Sequence, residues 1–128
     1  HAPLTIADTA HNEGAVAAVM QQIEQQSYRQ LHLVWGMVRD KDLSAILPLL
    51  PREAQFYFCA PEVPRALPSP DLREAAQPYH LEGTAYPSVS EAYRAARRQS
   101  SAQDLIYIGG STFTVAEVLP AAPVPGGH

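Results

Sequence analysis

The sequence is short of several things. Cys59 is its single cysteine, which excludes an internal disulfide framework and leads us to expect a reducing, cytoplasmic setting. Long hydrophobic runs are missing, since every apolar stretch falls well below the roughly 20 residues of a membrane span. No charged-then-apolar leader opens the chain, so no secretory signal is expected. Basic charge is scarce: nine Lys and Arg face 13 Asp and Glu for a net charge of −4. No segment concentrates those cations, so neither nucleic acid nor an anionic membrane is an expected partner. The phosphate-cradling G-x-x-x-x-G-K-[ST] is absent, as is G-x-G-x-x-G after a strand. His1, His11, His32, His80 and His128 are scattered along the chain, a distribution that predicts no metal site.

Apolar side chains are plentiful, at 46% of 128 residues, which excludes wholesale disorder and suffices for one buried core. Val16, Val19, Met20 and Ile23 recur at helical spacing. So do Leu43, Ile46, Leu47 and Leu50, and again Val89, Ala92, Tyr93 and Ala96. Each set makes one apolar stripe and one buried helix face. Pro48 should end or kink the second helix, and Ser88 with Glu91 fits a capping box before the third. Between them, residues 4–7, 31–38, 54–60 and 105–108 form short, nearly continuous apolar runs. Runs without alternation predict strands buried on both faces, as in parallel sheets. The expected fold is therefore α/β, a Rossmann-like three-layer domain with a mainly parallel sheet flanked by helices. The Pro-rich stretch 61–87 should hold a helix over 71–77 and a short strand near His80. The domain is expected to span 1–119, with 120–128 a mobile Pro/Gly tail.

Ligands of open parallel sheets bind at the carboxyl ends of the strands, and polar residues gather there. Asp8-Thr9-Ala10-His11-Asn12 follows the first strand, Arg39-Asp40-Lys41-Asp42 the second, and Gly109-Gly110-Ser111-Thr112 the last. Each loop also has a plain structural explanation. Asn12, Asp42 and Ser111 are good helix N-caps, the charges can be a solvated loop, and the glycines can serve a tight turn. Trp35 and Tyr107 fall at strand positions and should be core, and Cys59 should be a buried, inert thiol. Together, an acid, a His-Asn pair, a lysine and a Gly-Gly-Ser at three strand ends predict one shared cleft.

The stretch Asp8-Thr9-Ala10-His11-Asn12 resembles the D-x-A-H-N signature of the folylpolyglutamate synthase and dihydrofolate synthase family, within the Mur-type ATP-dependent amide ligases. Val34-Trp35-Gly36, followed by Asp40-Lys41-Asp42, is similar to that family's hydrophobic strand, glycine and D-K-D. The resemblance continues through Ser88-Val89-Ser90-Glu91-Ala92 and Ile108-Gly109-Gly110-Ser111-Thr112-Phe113 to Ala116-Glu117-Val118. Glu13 stands where the family usually has proline. The family's arginine upstream of the first strand and its ATP-binding central domain have no counterpart here. The resemblance thus implies an excised C-terminal domain whose partners are the central P-loop domain and the N-terminal domain of the same chain. It implies a ligase using ATP and Mg2+ to join L-glutamate to folate or dihydropteroate through an acyl phosphate. This fragment alone would be inactive and would bind no cofactor tightly. By resemblance, Asp8, His11 and Asn12 would contribute to nucleotide binding, and His11, Lys41 and Ser111 to glutamate binding.

Two other readings fit the residues. One is a stand-alone Rossmann-like module binding a nucleotide or phosphorylated metabolite. The other is a receiver-type signalling domain, disfavoured because the first strand supplies Asp8 alone and the third ends in Ala60-Pro61-Glu62.

Overall fold

The computed structural model describes residues 3–10 and 12–118. Five strands, β1 (Leu4–Ala7), β2 (Leu31–Gly36), β3 (Gln55–Cys59), β4 (Gly83–Ala85) and β5 (Leu105–Gly109), form one sheet in the order β1-β5-β2-β3-β4. Every pairing is parallel. The helices are α1 (Glu13–Glu24), α2 (Leu43–Ile46), α3 (Ser69–Ala76), α4 (Val89–Gln99) and α5 (Thr112–Val118). The expected α/β three-layer fold is the one observed. The tail expected to be mobile, 120–128, lies outside the described residues.

Period-two alternation sends neighbouring side chains of each central strand into different cores. Leu33 and Trp35 of β2, Phe56 and Phe58 of β3, and Tyr107 of β5 pack with Val16, Met20 and Ile23 of α1, Ile46 of α2 and Leu72 of α3. Val34, Tyr57, Cys59, Ile106 and Ile108 face the other way, onto Val89, Ala92 and Ala96 of α4 and Val118 of α5. Small alanines on α4 let that helix lie close to the sheet. Trp35 and Tyr107 stack within the first core, with ring centres 6.3 Å apart. Cys59 is fully buried in the second, where burial pushes its thiol pKa up and leaves it inert.

Local signals place the helix ends. The Asn12 carboxamide accepts from Ala15 N–H at 2.9 Å, Asp42 from Ser44 N–H at 3.1 Å, and Ser88 from Glu91 N–H at 3.1 Å. Each satisfies a donor that the first helical turn leaves open. Pro48 does end α2, which tightens into a 3-10 turn over Leu47–Leu49.

Several expectations need correction. β1 is not buried on both faces. It is the sheet's edge, and Leu4 is 57% exposed; a four-residue apolar run cannot tell an edge strand from an inner one. β2 stops at Gly36, because the backbone of residues 37–39 turns to pair antiparallel with 65–67. The helix expected over 71–77 starts two residues earlier at Ser69, with Pro70 in its first turn. The short strand lies at Gly83–Ala85 rather than at His80, which closes a 3-10 turn in the left-handed region at φ 63°.

Candidate functional site

The strand order creates the crevice. β5 sits between β1 and β2 although it is last in sequence. The loop after β2 leads to α2 on one face, and the loop after β5 leads to α5 on the other. Neighbouring strands whose loops part in this way leave an opening at their carboxyl ends.

Gly110 makes the β5 turn possible. Its φ is 104°, and a Cβ there would lie 2.3 Å from the Gly36 carbonyl oxygen. Only glycine allows both that backbone angle and that approach. Ser111 follows, buried, and its hydroxyl accepts from Thr114 N–H at 3.0 Å and bonds the Thr114 hydroxyl at 2.9 Å. Thr114 Oγ1 in turn donates to the Gly36 carbonyl at 2.8 Å. The serine thus caps α5 and, through Thr114, ties the end of β5 to the end of β2.

Lys41 stands half-buried across from that turn. Among the described residues its ammonium has no ion-pair or hydrogen-bond partner, while the acids beside it are engaged elsewhere. Asp42 caps α2, and Asp40 pairs with Arg65 at 2.8 Å. A groove of about 330 Å3 is lined by Asp40, Lys41, Arg65, Ser111, Thr112 and Phe113. A second depression of about 220 Å3 runs along the other side of Asp40 and Lys41 to Asn12 and Glu13. Lys41 therefore stands between Asn12 and Ser111. A larger depression, about 570 Å3, lies at the opposite, amino edge of the sheet beside Gln30, Glu53, His80 and Thr84, where the chain enters β2, β3 and β4.

Asp8 ends β1 on the same carboxyl edge, where its N–H donates to the Ile108 carbonyl. One carboxylate oxygen accepts from Ala10 N–H at 2.7 Å, turning the chain toward α1. Its charge, after burial, helps raise the pKa of the Tyr107 hydroxyl. Asp8 lines neither groove around Lys41. His11 lies outside the described residues. The structure thus places Lys41 with Ser111 in one groove and Lys41 with Asn12 in a second depression, and keeps Asp8 on the same edge but in neither.

Sequence reasoning missed Arg65. It sits in an irregular segment after β3, and nothing local connects it to Asp40 or Phe113. The only available signal was the break in the second apolar run at Val38, where the bridge to Ala66 forms. It also missed a polar cluster at the amino edge. His32 Nε2 donates to Asp104 Oδ2 at 2.8 Å, and His32 Nδ1 lies 2.8 Å from the Tyr57 hydroxyl, all three residues being buried. Asp104 also accepts from the Ser101 N–H and hydroxyl, each at 3.0 Å, and pairs with Arg29 at 3.3 Å. Burial alone would raise the Asp104 pKa, but the hydrogen bonds from Ser101 and His32, with Arg29 nearby, hold it below the usual carboxylate value. Among the described residues, no group of three or more His, Cys, Asp and Glu is placed to hold a metal ion. Nor is any helix among them long and apolar enough to cross a membrane.

The comparisons with known proteins bear on this geometry. The family described as "Mur ligase, glutamate ligase domain" matches residues 1–112. The chain belongs to that family. Within it, the match is to the C-terminal domain of folylpolyglutamate/dihydrofolate synthases. This glutamate ligase domain is 33% identical over 121 residues to the dihydrofolate synthase/folylpolyglutamate synthase of Escherichia coli strain K12, covering 91% of this chain and 27% of that protein. Its fold matches E. coli FolC in complex with DHPP and ADP at a TM-score of 0.83 and 28% identity, over 91% of this chain and 28% of that one. It also matches a bifunctional folylpolyglutamate synthase/dihydrofolate synthase with Mn, AMPPNP and L-glutamate bound, at a TM-score of 0.81 and 28% identity, over 93% and 29% of the two chains. The domain spans only 14% to 28% of the lengths of the curated relatives it matches.

Proposed function

We propose that this glutamate ligase domain is the amino-acid-holding part of an ATP-dependent ligase that joins L-glutamate to folates or dihydropteroate through an acyl phosphate. One observation carries the reading: the half-buried Lys41 ammonium, unpartnered among the described residues, lines a groove made by loops of neighbouring strands. A cation left unsatisfied in such a place suits a carboxylate ligand. The family's description as a glutamate ligase domain supports glutamate as that ligand.

The roles divide by position. Lys41 would hold a carboxylate of the incoming glutamate, His11 would contribute to the same binding, and Ser111 would shape the floor. Asp8, which has one carboxylate oxygen bound to Ala10 N–H, would offer the other to nucleotide hydroxyls, and His11 and Asn12 would contribute to nucleotide binding. Related proteins have been solved with ADP and with Mn and AMPPNP bound. In the parent of this chain, ATP would supply the phosphoryl group that activates the acceptor carboxylate. Its Mg2+ would be held by the central P-loop domain, since this domain offers no cluster of metal-ligating side chains among its described residues. The domain's own contribution is to position the amine for attack, a matter of geometry rather than of a nucleophilic side chain.

The test is Lys41→Ala in the full-length parent. Losing a charged hydrogen bond of about 1.5–3 kcal/mol should raise the KM for glutamate about 10- to 100-fold and leave that for the folate substrate nearly unchanged. Unaltered glutamate kinetics would make Lys41 a solvated loop residue. The isolated domain should neither turn over ATP nor form an amide bond, and protein-dependent ATP turnover by it would contradict the proposal.

A further inference from the structure

Resting on the glutamate reading above, we infer that Thr114 is a positioning residue for glutamate, its hydroxyl holding the two walls of the amino-acid groove at their working separation. One wall comes from the loop after β2, with Asp40 and Lys41, and another from the turn after β5, with Ser111, Thr112 and Phe113. Thr114 lines neither. It lies behind the second wall in the first turn of α5, fully buried. Its hydroxyl donates at 2.8 Å to the carbonyl of Gly36, the last residue of β2 and the point from which the Lys41 loop departs. The approach is close from every side. A Cβ on Gly36 would lie 2.8 Å from Thr114 Oγ1 and 3.0 Å from the Cys59 carbonyl oxygen, so the missing side chain leaves the space that the hydroxyl enters. The same Gly36 carbonyl is what a Cβ on Gly110 would strike. The end of β2, the turn after β5 and α5 thus meet at one carbonyl.

The protons at this junction can be counted. A hydroxyl has one proton to give, and that of Thr114 goes to Gly36. The 2.9 Å bond between the two hydroxyls is therefore donated by Ser111, whose oxygen accepts from Thr114 N–H at 3.0 Å. The Ser111 proton is spent inside the fold, so the serine forms the floor of the groove and leaves the glutamate carboxylate to Lys41. These bonds are buried, where a donor left without an acceptor is costly, so the network holds a single arrangement. Removing the Thr114 hydroxyl would strand the Ser111 proton and release the crossing from α5 to β2. No lining atom would be lost, yet Lys41 and Ser111 would no longer be held in register across the groove. A shift of about 1 Å in a positioned group is enough to cost about 100-fold in rate.

The experiment measures steady-state kinetics of the full-length parent carrying Thr114→Val, Thr114→Ala or Thr114→Ser. Valine keeps the shape without the hydroxyl and should lower kcat/KM for glutamate about 10- to 100-fold, while the KM for ATP and for the folate substrate stays within about twofold. Serine keeps the hydroxyl and should recover most of the loss. Thr114→Ala puts no carbon where Oγ1 approaches the Gly36 carbonyl, and decides the point if the valine variant does not fold. A folded valine or alanine variant with native glutamate kinetics overturns the inference, as does a serine variant that recovers nothing. So does an equal loss toward all three substrates, the mark of a residue that only holds the fold together. Each of these results leaves the Lys41 assignment standing. Unaltered glutamate kinetics in Lys41→Ala would instead remove the reading on which the inference rests.

Discussion

The two edges of this sheet use polar residues in opposite ways. At the amino edge, Asp104 and His32 are buried and their polar atoms are all engaged. At the carboxyl edge, Lys41 is half-buried and unpartnered among the described residues, and the Asp40–Arg65 pair lies open to solvent. A closed buried network adds to stability and leaves nothing over for a ligand. An open edge with unsatisfied charge adds little to stability and keeps its electrostatics for binding. Burial alone therefore does not single out the candidate site here; an unspent charge beside a groove does.

That contrast can be broken at either edge. The largest effect should come from Asp104→Ala, which strands a buried histidine and the Ser101 donors and should cost about 3 kcal/mol in chemical denaturation. The site also has a pH signature. The folded-state pKa of Asp104 lies below its unfolded value, so its stabilisation is full above the unfolded pKa of about 3.9. It is lost as the pH falls through the folded value. Asp104→Asn should therefore flatten the loss of stability measured between about pH 5 and pH 2; an unchanged acid profile would mean the carboxylate contributes nothing through its ionisation.

Next in size is Gly110→Ala, whose Cβ would meet the Gly36 carbonyl at a backbone angle alanine resists. It should cost about 2–3 kcal/mol, and thermal unfolding at neutral pH measures it. Ser111→Ala should cost less, about 1 kcal/mol, the usual value of a lost N-cap. A stability change near zero would mean that the serine hydroxyl is not needed to hold α5. The smallest effect should be that of Lys41→Ala, within about 0.5 kcal/mol of the native chain. A large destabilisation by Lys41→Ala would erase the contrast between the edges.

Much of this was legible residue by residue. The stripes beginning at Val16 and Val89 became α1 and α4, Asn12 and Ser88 cap them, and Pro48 ends α2. These features depend on neighbours within a few positions, which is where sequence periodicity carries information. Leu4 shows the limit. Its run looks like any inner strand, but whether a strand is covered depends on which others pair beside it. The amino-edge network was invisible for a related reason. Residues 32, 57 and 104 belong to three strands or their flanks, and only pairing β2 with both β3 and β5 brings them within hydrogen-bond reach.

By itself, then, the sequence determined the alternation of strands and helices, the two-faced burial of β2, β3 and β5, the helix caps and the ordered markers of the family. Tertiary structure alone decided that β5 enters between β1 and β2, that the loops bearing Lys41 and Ser111 become neighbours, and that Arg65 arrives from beyond β3 to meet them. The physical reason is the range of the forces involved. Hydrophobic period and capping act over one or two turns of chain, whereas strand order is settled by which faces can be buried together across the whole domain.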